Sequence, residues 1–331
     1  MVRGLRPVLA RSKAHTKLQV TSRVVDEGAA LQSNSQINHR IHHMPLSFRK
    51  LHPHFVAEVG AIELRQIYNE NTLAEIRAGM DEHAVLVFRN QSFSNEEQLT
   101  FAQRLDGMVN PKGAVTSMLA GKNRLGDDGL SDVSNVNEKG AIWSADDRTR
   151  QIRLTNRLWH ADATFHDPAG RYSMLSAKAV PPVSAPTEFA DTRAAYDELD
   201  MGTKAKLEGL RVHHSSATNK NTLGFNLTAE QKKVLNAAVH PLVRSIPRTN
   251  RRSLYLAAHA SHIVDWPVPE GRMLLLELTE HATQPQFVYR HEWQVGDFVI
   301  WDNRATMHRA RPYDDLKYRR ELVRVTTLDC C

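Results

Sequence analysis

The sequence predicts a mainly β fold with flanking helices, in which two sheets pack face to face as a jelly roll. Short apolar segments separated by turn residues dominate the chain after residue 172, and such segments are typical of strands. Amphipathic helices with N-terminal caps precede them. The 331 residues contain no internal repeat and no low-complexity tract. Many strands with a few helices outside them, in one chain, favour the jelly roll.

The first elements lie between residues 72 and 105. The first is a helix opened by the capping-box pair Thr72 and Glu75, with Leu73, Ile76 and Met80 on its apolar side. A buried strand is predicted next, at 84–88. It is followed by a helix that runs from the second capping-box pair, Ser94 and Glu97, to Leu105. Residues 107–150 are rich in Gly, Asn, Asp and Ser and show weak periodicity. We therefore expect a long loop there, which could act as a lid.

The later elements account for most of the predicted β structure. They are strands at 172–180 and 187–190, a helical segment at 192–210, an irregular stretch at 213–235, a hairpin of 242–245 and 253–257 that turns through 247–250, a helix at 271–283, and closing strands at 287–293, 297–301 and 321–327. The helix at 271–283 is expected to bury Met273, Leu274, Leu276 and Leu278 on its apolar side.

Charge and composition exclude several classes of protein. The formal net charge is +6, but residues 1–44 hold seven Lys or Arg and two acidic residues and so account for +5. The remainder is close to neutral and lacks the basic footprint of a nucleic-acid binder. No apolar run is long enough to span a bilayer, so no membrane partner is predicted. The only cysteines, Cys330 and Cys331, are adjacent and cannot cross-link the fold, which favours a reduced, cytoplasmic protein.

The basic residues at the start divide the chain into an N-terminal extension, 1–44, and one domain, 45–331. The extension has no sustained hydrophobic periodicity, and a disordered tail is the preferred interpretation. An Arg-rich, acid-poor start also resembles an organellar transit peptide. A misassigned start codon is the third interpretation, with Met44 as the true first residue.

A split set of metal-binding residue types carries the main functional prediction. His160 and Asp162 lie two positions apart, and His308 follows far downstream. Two imidazoles and one carboxylate are the protein part of the facial triad on non-haem Fe(II). If residues 160–162 form a strand, the two side chains point to the same face and can bind one ion. His-x-Asp alone is weak support in a chain with 17 histidines, and His308 after a turn could be a surface residue.

Two arginines near the C-terminus strengthen the metal interpretation. Arg320 and Arg324 are four positions apart on the last predicted strand and should share a face. A guanidinium on an inward face is a bidentate receptor for carboxylates. A solvated strip of arginines is the competing interpretation.

Together these stretches resemble the alpha-ketoglutarate-dependent taurine/2,4-dichlorophenoxyacetate dioxygenase family over residues 46–329. The matching stretches are Leu-Trp-His-Ala-Asp-Ala-Thr-Phe at 158–165, Thr-Glu-Phe-Ala-Asp at 187–191, Trp-Asp-Asn-Arg at 301–304, His-Arg at 308–309, and Arg320 with Arg-Val-Thr-Thr at 324–327. The likeness is strongest to the 2,4-dichlorophenoxyacetate branch. It extends there through 194–197, 258–262, 270–275 and 280–283.

The resemblance implies a double-stranded β-helix core of the cupin-like jelly-roll type. It implies that His160, Asp162 and His308 bind Fe(II), and that Thr187 and Arg320 hold the distal carboxylate of the co-substrate alpha-ketoglutarate. Arg324 and the backbone or hydroxyl near Thr164 would then face the carboxylate of the organic substrate. Trp301 could pack beside the metal or be a plain core residue.

The implied reaction is a hydroxylation by O2 that releases succinate and CO2. On an aryloxyacetate, it would yield a phenol and glyoxylate. The Asp162 ligand favours hydroxylation over halogenation, since a halogenating relative needs that coordination position for chloride. Alternatives are the same chemistry on a sulfonate, a sulfate ester or a natural aromatic acid, a zinc hydrolase, and an inactive binding protein. The oligomeric state stays open, a homo-oligomer included.

Three departures from the family pattern bear on the substrate. Ser-Ala-Pro at 184–186 replaces the usual Gly-Gly before Thr187, and Thr164 stands where the branch often has serine. A lysine that assists the substrate carboxylate has no clean counterpart; the candidates are Lys112, Lys122 and Lys139. Four other histidines, His213, His214, His259 and His262, could line the pocket or be satisfied elsewhere, whereas His42, His43 and His281 are expected to be bystanders.

Overall fold

Two β layers and an outer set of helices make up the computed structural model, which describes residues 45–111, 124–229 and 235–330. The predicted extension 1–44 lies outside the described residues. The strands are β1 Phe48–Lys50, β2 Ala57–Val59, β3 Val85–Phe88, β4 Leu130–Asp132, β5 Gly170–Ala179, β6 Thr187–Asp191, β7 Arg211–Ser215, β8 Ala237–Pro241, β9 Val243–Ser245, β10 Arg252–Leu254, β11 Ala260–Ile263, β12 Val288–His291, β13 Phe298–Asp302, β14 Thr306–Ala310 and β15 Glu321–Leu328.

Helices flank this β structure. The α-helices are Glu70–His83, Asn95–Asp106, Arg148–Arg153, Thr192–Asp197, Met201–Leu207, Thr218–Thr222 and Val268–Ala282, and the 3-10 helices are Leu64–Gln66, Leu154–Arg157 and Pro285–Phe287. The predicted mainly β jelly roll with helices outside is therefore confirmed. In the described part of the chain, no helix is both long and apolar enough to cross a lipid bilayer.

The larger sheet has seven strands in the order β1-β2-β3-β13-β5-β15-β4. All its pairs are antiparallel except β2 with β3. The second layer is the three-stranded sheet β12-β6-β14, also antiparallel. Smaller sheets, β11-β7-β8 and β10-β9, extend from this core.

Alternate side chains of the central strands reach two different apolar cores. In β13, Phe298 and Ile300 join the core beneath the first two helices, whereas Val299 and Trp301 join the core between the two sheets. A strand covered on both faces reads as a continuous apolar run, since neither face meets water. This is why the run that ends at Trp301 was recognisable in the sequence.

The first two helices carry different caps. Ser94 and Glu97 form the predicted capping box of the second helix. In the first helix, the predicted cap at Thr72 is wrong. The cap is Asn69, whose Oδ1 accepts from both the Thr72 N–H and the Thr72 hydroxyl at 2.8 Å. Asn is among the preferred N-caps, and here the helix begins one residue after it.

The apolar side of the Val268–Ala282 helix differs from the predicted one. Leu274, Leu275 and Leu278 are buried, but Met273 is 54% and Leu276 is 51% exposed. At 100° per residue, positions 273 and 276 lie on the side of the helix opposite the buried stripe. An all-apolar run therefore did not indicate which side chains face the core.

Several segments predicted to be irregular contain regular structure. β4 and the Arg148–Arg153 helix lie within 107–150, and β7 and the Thr218–Thr222 helix overlap 213–235. Residues 112–123 of the predicted lid lie outside the described part. The predicted helical segment 192–210 consists of two short helices, and β14 was not predicted at all.

Candidate active site

The two histidines of the predicted triad meet across a strand edge. His308 lies in β14, and His160 pairs with it as an isolated antiparallel bridge. The His160 N–H donates to the His308 carbonyl at 3.0 Å, and the His308 N–H donates to the His160 carbonyl at 2.7 Å. Side chains of directly opposed residues are neighbours, and the two ring centroids lie 4.2 Å apart.

Asp162 reaches the same point from a turn. The expectation that His160 and Asp162 share the face of one strand is wrong, because the chain turns over residues 162–165 directly after the bridge. Ala163 has a φ of 54°, in the left-handed region that strands do not occupy. The Asp162 N–H donates to Asn303 Oδ1 at 2.8 Å, which anchors this turn to the connection between β13 and β14.

The three side chains direct their ligand atoms to a common point. His160 Nε2 lies 3.9 Å from Asp162 Oδ1, and His308 Nε2 lies 3.6 Å from Asp162 Oδ2. The three ligand atoms are all within 4.8 Å of one another, and all three residues are buried. His160 Nδ1 donates to the Leu158 carbonyl at 2.7 Å, so Nε2 keeps its lone pair for a cation. This donor set fits a divalent iron ion.

Burial opposes charge on all three ligands, yet Asp162 stays ionised. Burial raises the pKa of its carboxyl, but Arg324, the two histidines and a serine hydroxyl outweigh it and lower the pKa to about 2. Burial lowers the pKa of His160, and it holds that of His308 well below its ordinary value. Two neutral imidazoles and one carboxylate are the protonation states that bind a metal.

Two further side chains hold the Asp162 carboxylate. The Ser173 hydroxyl donates to Oδ2 at 2.8 Å, and Arg324 Nη1 donates to Oδ1 at 2.6 Å. Asn303 Nδ2 in turn donates to the Ser173 hydroxyl oxygen at 3.0 Å. Asn303 therefore supports both the backbone and, through Ser173, the side chain of Asp162. Ser173 carried no signal in the sequence.

Trp301 packs beside the predicted metal ligands. Its ring centroid lies 4.7 Å from that of His308, and its Nε1 donates to Asn303 Oδ1 at 3.1 Å. Of the two interpretations of Trp301, the geometry favours contact with the site. Trp301 is also a member of the core between the two sheets.

One side of the triad opens into an inner cavity. Its lining residues are Val133, Asn156, His160, Leu175, Thr187, Trp301, His308, Ala310, Arg320 and Arg324. Arg320 lies just before β15 and Arg324 lies within it, and both residues line this cavity.

The Arg320 guanidinium is positioned to bind an anion. It is 6% exposed, its Nη2 lies 3.4 Å from Thr187 Oγ1, and its Nε has no hydrogen-bond partner in the described part of the chain. No carboxylate among the described residues forms an ion pair with it. Burial lowers its pKa to about 10, so it remains charged at neutral pH. Trp293 Nε1 donates to Thr187 Oγ1 at 3.0 Å and fixes that hydroxyl. A carboxylate of alpha-ketoglutarate fits this pair of donors.

An outer cavity lies on the Lys220 side of the triad. It is lined by Asn110, Thr155, Asn156, His160, Asp162, Ala163, Phe165, His166, Ser216, Asn219, Lys220, His259, Arg324 and Thr326. The two cavities share Asn156, His160 and Arg324. The triad therefore contacts two compartments, each with an arginine in its wall.

Thr164 stands behind the outer cavity and does not line it. It is fully buried, and its Oγ1 lies 3.3 Å from His259 Nδ1. His259 Nε2 lies 3.0 Å from Asn219 Nδ2, and burial holds the pKa of His259 well below its ordinary value. His259 is thus the one of the four uncertain histidines that lines a cavity beside the triad.

The other three uncertain histidines have other neighbours. His213 and His262 stack at 5.0 Å and share the Ser261 hydroxyl, and His214 is buried against His240 and Tyr255.

The inner cavity retains its threonine despite the departure from the family pattern at residues 184–186. Thr187 lines that cavity, and Ser184 accepts from Arg290 and donates to Glu292. Of the three candidate lysines, Lys112 and Lys122 lie outside the described residues, and Lys139 is exposed and lines neither cavity. Lys220, which the sequence did not single out, lines the outer cavity.

Comparison with known proteins finds a matching family and similar relatives. Residues 47–326 match the family described as Taurine catabolism dioxygenase TauD, TfdA family. The chain is 45% identical over 280 residues to an alpha-ketoglutarate-dependent 2,4-dichlorophenoxyacetate dioxygenase of Cupriavidus pinatubonensis, a match that spans 84% of this chain and 96% of that protein. It is 43% identical to the protein of the same name from Burkholderia sp., over 86% of this chain and 95% of that protein.

A solved structure extends the comparison to the fold. The structure of AAD-2 in complex with Mn(II) and N-oxalylglycine superposes with a TM-score of 0.78 and 41% sequence identity. The superposition covers 87% of this chain and 98% of that chain.

Proposed function

Because the chain belongs to the TauD, TfdA family of dioxygenases, we propose that this alpha-ketoglutarate-dependent dioxygenase hydroxylates aryloxyacetates such as 2,4-dichlorophenoxyacetate. One observation carries the proposal. A buried triad of two histidines and one aspartate stands between two cavities, and each cavity has an arginine in its wall. Such a site can receive two anionic molecules, an oxidisable co-substrate and a substrate.

The proposed metal site uses His160, Asp162 and His308. Fe(II) bound there would activate O2 with electrons from alpha-ketoglutarate, which leaves as succinate and CO2. The protein supplies neutral imidazole ligands and holds the carboxylate in place through Ser173 and Asn303. Such supporting hydrogen bonds orient the ligands and tune their affinity for the metal.

Arg320 and Thr187 are the proposed receptors for alpha-ketoglutarate. The guanidinium would bind the distal carboxylate with two parallel N–H donors, and the Thr187 hydroxyl would add a third. Arg320 is buried without an acidic partner among the described residues, so an incoming dianion gains a strong interaction at little cost in ordering the site.

Arg324 is the proposed receptor for the substrate carboxylate on the other side of the triad. It contacts both cavities and already donates to Asp162, so a carboxylate bound to it would lie close to the metal ligands. Thr164 contributes to this side by its contact with His259, which lines the outer cavity.

The chemistry of the substrate accounts for the products. Hydroxylation of the carbon between the ether oxygen and the carboxylate forms a hemiacetal. When its hydroxyl proton moves to the aryl ether oxygen, the carbon–oxygen bond breaks and gives a phenol and glyoxylate. The residues therefore need only place that carbon beside the triad, because the hemiacetal breaks down by itself.

Substrate-dependent release of succinate tests the proposal. With Fe(II), alpha-ketoglutarate and O2, the protein should release succinate, a phenol and glyoxylate in equal amounts from 2,4-dichlorophenoxyacetate. His160→Ala should abolish this release, whereas the matched change at an exposed histidine, His54→Ala, should leave it unchanged. Turnover of a sulfonate or sulfate ester but of no aryloxyacetate would refute the substrate assignment. Hydrolysis that needs no alpha-ketoglutarate would refute the reaction class.

Three further properties remain proposals. A single catalytic domain begins near Pro45, where the described compact unit starts. The enzyme acts in the cytoplasm, which rests on its cysteine content, and its partners are small organic anions and not nucleic acid or membrane. Its oligomeric state stays open.

A further inference from the structure

The lysine that lines the outer cavity is a buried cation without an acidic partner among the described residues. Lys220, in the Thr218–Thr222 helix, is 6% exposed and lines the cavity together with Asp162 and Arg324. Its ammonium donates to the Ser216 carbonyl at 2.7 Å. Within the described residues, no carboxylate lies within 4.0 Å of this nitrogen.

A buried ammonium that lacks an acidic partner favours binding of an anionic ligand. Lysine is almost never fully buried unless it is paired, since loss of hydration costs several kilocalories per mole. Burial lowers the pKa of Lys220 to about 8, so it remains mostly charged at neutral pH. An ammonium has three N–H donors, and one carbonyl uses only one of them. The two others have no acceptor among the described residues and are available to a ligand.

The other charges in this cavity wall cannot neutralise Lys220. The Asp162 carboxylate is held by Arg324 and by Ser173 and belongs to the candidate metal site. His259 is neutral because burial holds its pKa well below its ordinary value. Arg324 adds a second positive charge. The wall therefore carries two cations and one carboxylate that is already engaged.

We propose that Lys220 binds the carboxylate of the organic substrate directly and so selects anionic substrates in the outer cavity. The assignment rests on the proposed function, which places the substrate on this side of the triad. Arg324 donates to Asp162 and would also bind the substrate. Lys220 has no anionic partner among the described residues, so the substrate would be its partner. Lys220 would thus be the lysine that assists the substrate carboxylate, a role for which Lys112, Lys122 and Lys139 were the candidates in the sequence.

Anaerobic binding to the complete enzyme tests this assignment without turnover. Protein loaded with Fe(II) and alpha-ketoglutarate is titrated with 2,4-dichlorophenoxyacetate and with its neutral amide, and the change in the visible band of the iron–keto acid complex reports Kd. The variants are Lys220→Met, Lys220→Arg and a control, Lys178→Met. Lys178 is half-buried and, like Lys220, donates to a backbone carbonyl, that of Phe93, but it lines neither cavity.

The charge of Lys220 should affect binding of the acid and not binding of the amide. Loss of one partner from a buried ion pair should weaken binding of the acid by about 30-fold or more in Lys220→Met. Binding of the amide and of alpha-ketoglutarate should be unchanged. Lys220→Arg should restore most of the acid's affinity, and Lys178→Met should bind like the wild type.

Other outcomes overturn the assignment, the proposed substrate or both. Equal weakening of acid and amide, or no weakening, would mean that Lys220 does not recognise the carboxylate, even if the enzyme turns over aryloxyacetates. If the wild type binds no aryloxyacetate, the proposed substrate is wrong, and the same comparison with an aryl sulfate and a sulfonate decides the role of Lys220. Failure of the wild type to bind any of these anions would overturn both proposals.

Discussion

Asp162 is the residue at which the charges of the site meet. Its carboxylate lies between two imidazoles and accepts from one guanidinium and one hydroxyl. Each of these contacts favours the ionised form, and together they overcome a burial that would otherwise neutralise the group. Asp162 can therefore act as a metal ligand because its neighbours keep its carboxylate ionised.

Ser173→Ala should weaken metal binding. The change removes the hydroxyl that donates to Asp162 Oδ2 and accepts from Asn303, so the carboxylate loses one of its two fixed contacts. Loss of such a supporting hydrogen bond typically weakens metal affinity by about 10–100-fold. Equilibrium titration with Fe(II) under anaerobic conditions measures the effect.

Ser176→Ala is the matched control for this change. Ser176 is on the same strand and equally buried, but within the described ranges its hydroxyl has no hydrogen-bond partner. It should bind iron with wild-type affinity. Equal losses in the two variants would show that β5 packing, and not the hydroxyl at 173, controls the metal site.

At the scale of elements, the turn at 162–165 depends on the start of β5. Gly170, the first residue of that strand, faces the Asp162 carbonyl. A Cβ at position 170 would lie 2.7 Å from that carbonyl oxygen and 3.1 Å from the Ala163 Cβ. Backbone atoms cannot move aside as the end of a side chain can, so the close approach requires glycine.

Gly170→Ala should therefore displace the turn that carries Asp162. We expect a loss of about 1–3 kcal/mol in the free energy of unfolding, as for an overpacked core, together with weaker Fe(II) binding. Urea unfolding and iron titration measure the two effects. Gly202→Ala is the control, since a Cβ there meets only the Asp200 side chain, at 3.1 Å. A Gly170→Ala protein that binds iron like the wild type would contradict the expected coupling.

The elements differ in how well the sequence predicted them. β3 and β13 were recognisable because both of their faces are buried, which produces a continuous apolar run. β14 was missed because only Met307 and Ala310 of its five residues are apolar, so it contains no apolar run. It pairs with one full strand, β6. Its other edge holds the single bridge to His160, a contact that local patterns cannot indicate.

At the scale of the whole molecule, buried histidines couple stability to pH. His214 in β7 is fully buried, and neither ring nitrogen has a hydrogen-bond partner among the residues that the structure describes. Burial, with smaller contributions from His240, His213 and Arg244, lowers its pKa from 6.5 to about 3. Between these values the unfolded chain binds a proton that the folded protein does not. The free energy of unfolding therefore falls as the pH falls below about 6.5.

His214→Phe should reduce this acid sensitivity. Between about pH 6 and 4, the slope of unfolding free energy against pH should decrease by up to about 1.4 kcal/mol per pH unit, the contribution of one proton. Urea unfolding across this range gives the slope. His54→Phe, a change at an exposed imidazole, is the control. An identical slope in the wild type and His214→Phe would show that this histidine does not couple folding to pH.

By itself, the sequence determined the reaction class and the fold class of this protein. The fold class follows from periodic burial, since buried strands are apolar by necessity. The reaction class follows from the family resemblance that the His, Asp and His set and the arginines carry. Only the tertiary structure decided how the ligands converge. His160 bridges to a strand about 150 residues away, Asp162 comes from a turn anchored by Asn303, and Lys220 faces the cavity from a short helix. These contacts join distant parts of the chain, and no local pattern of residues records them.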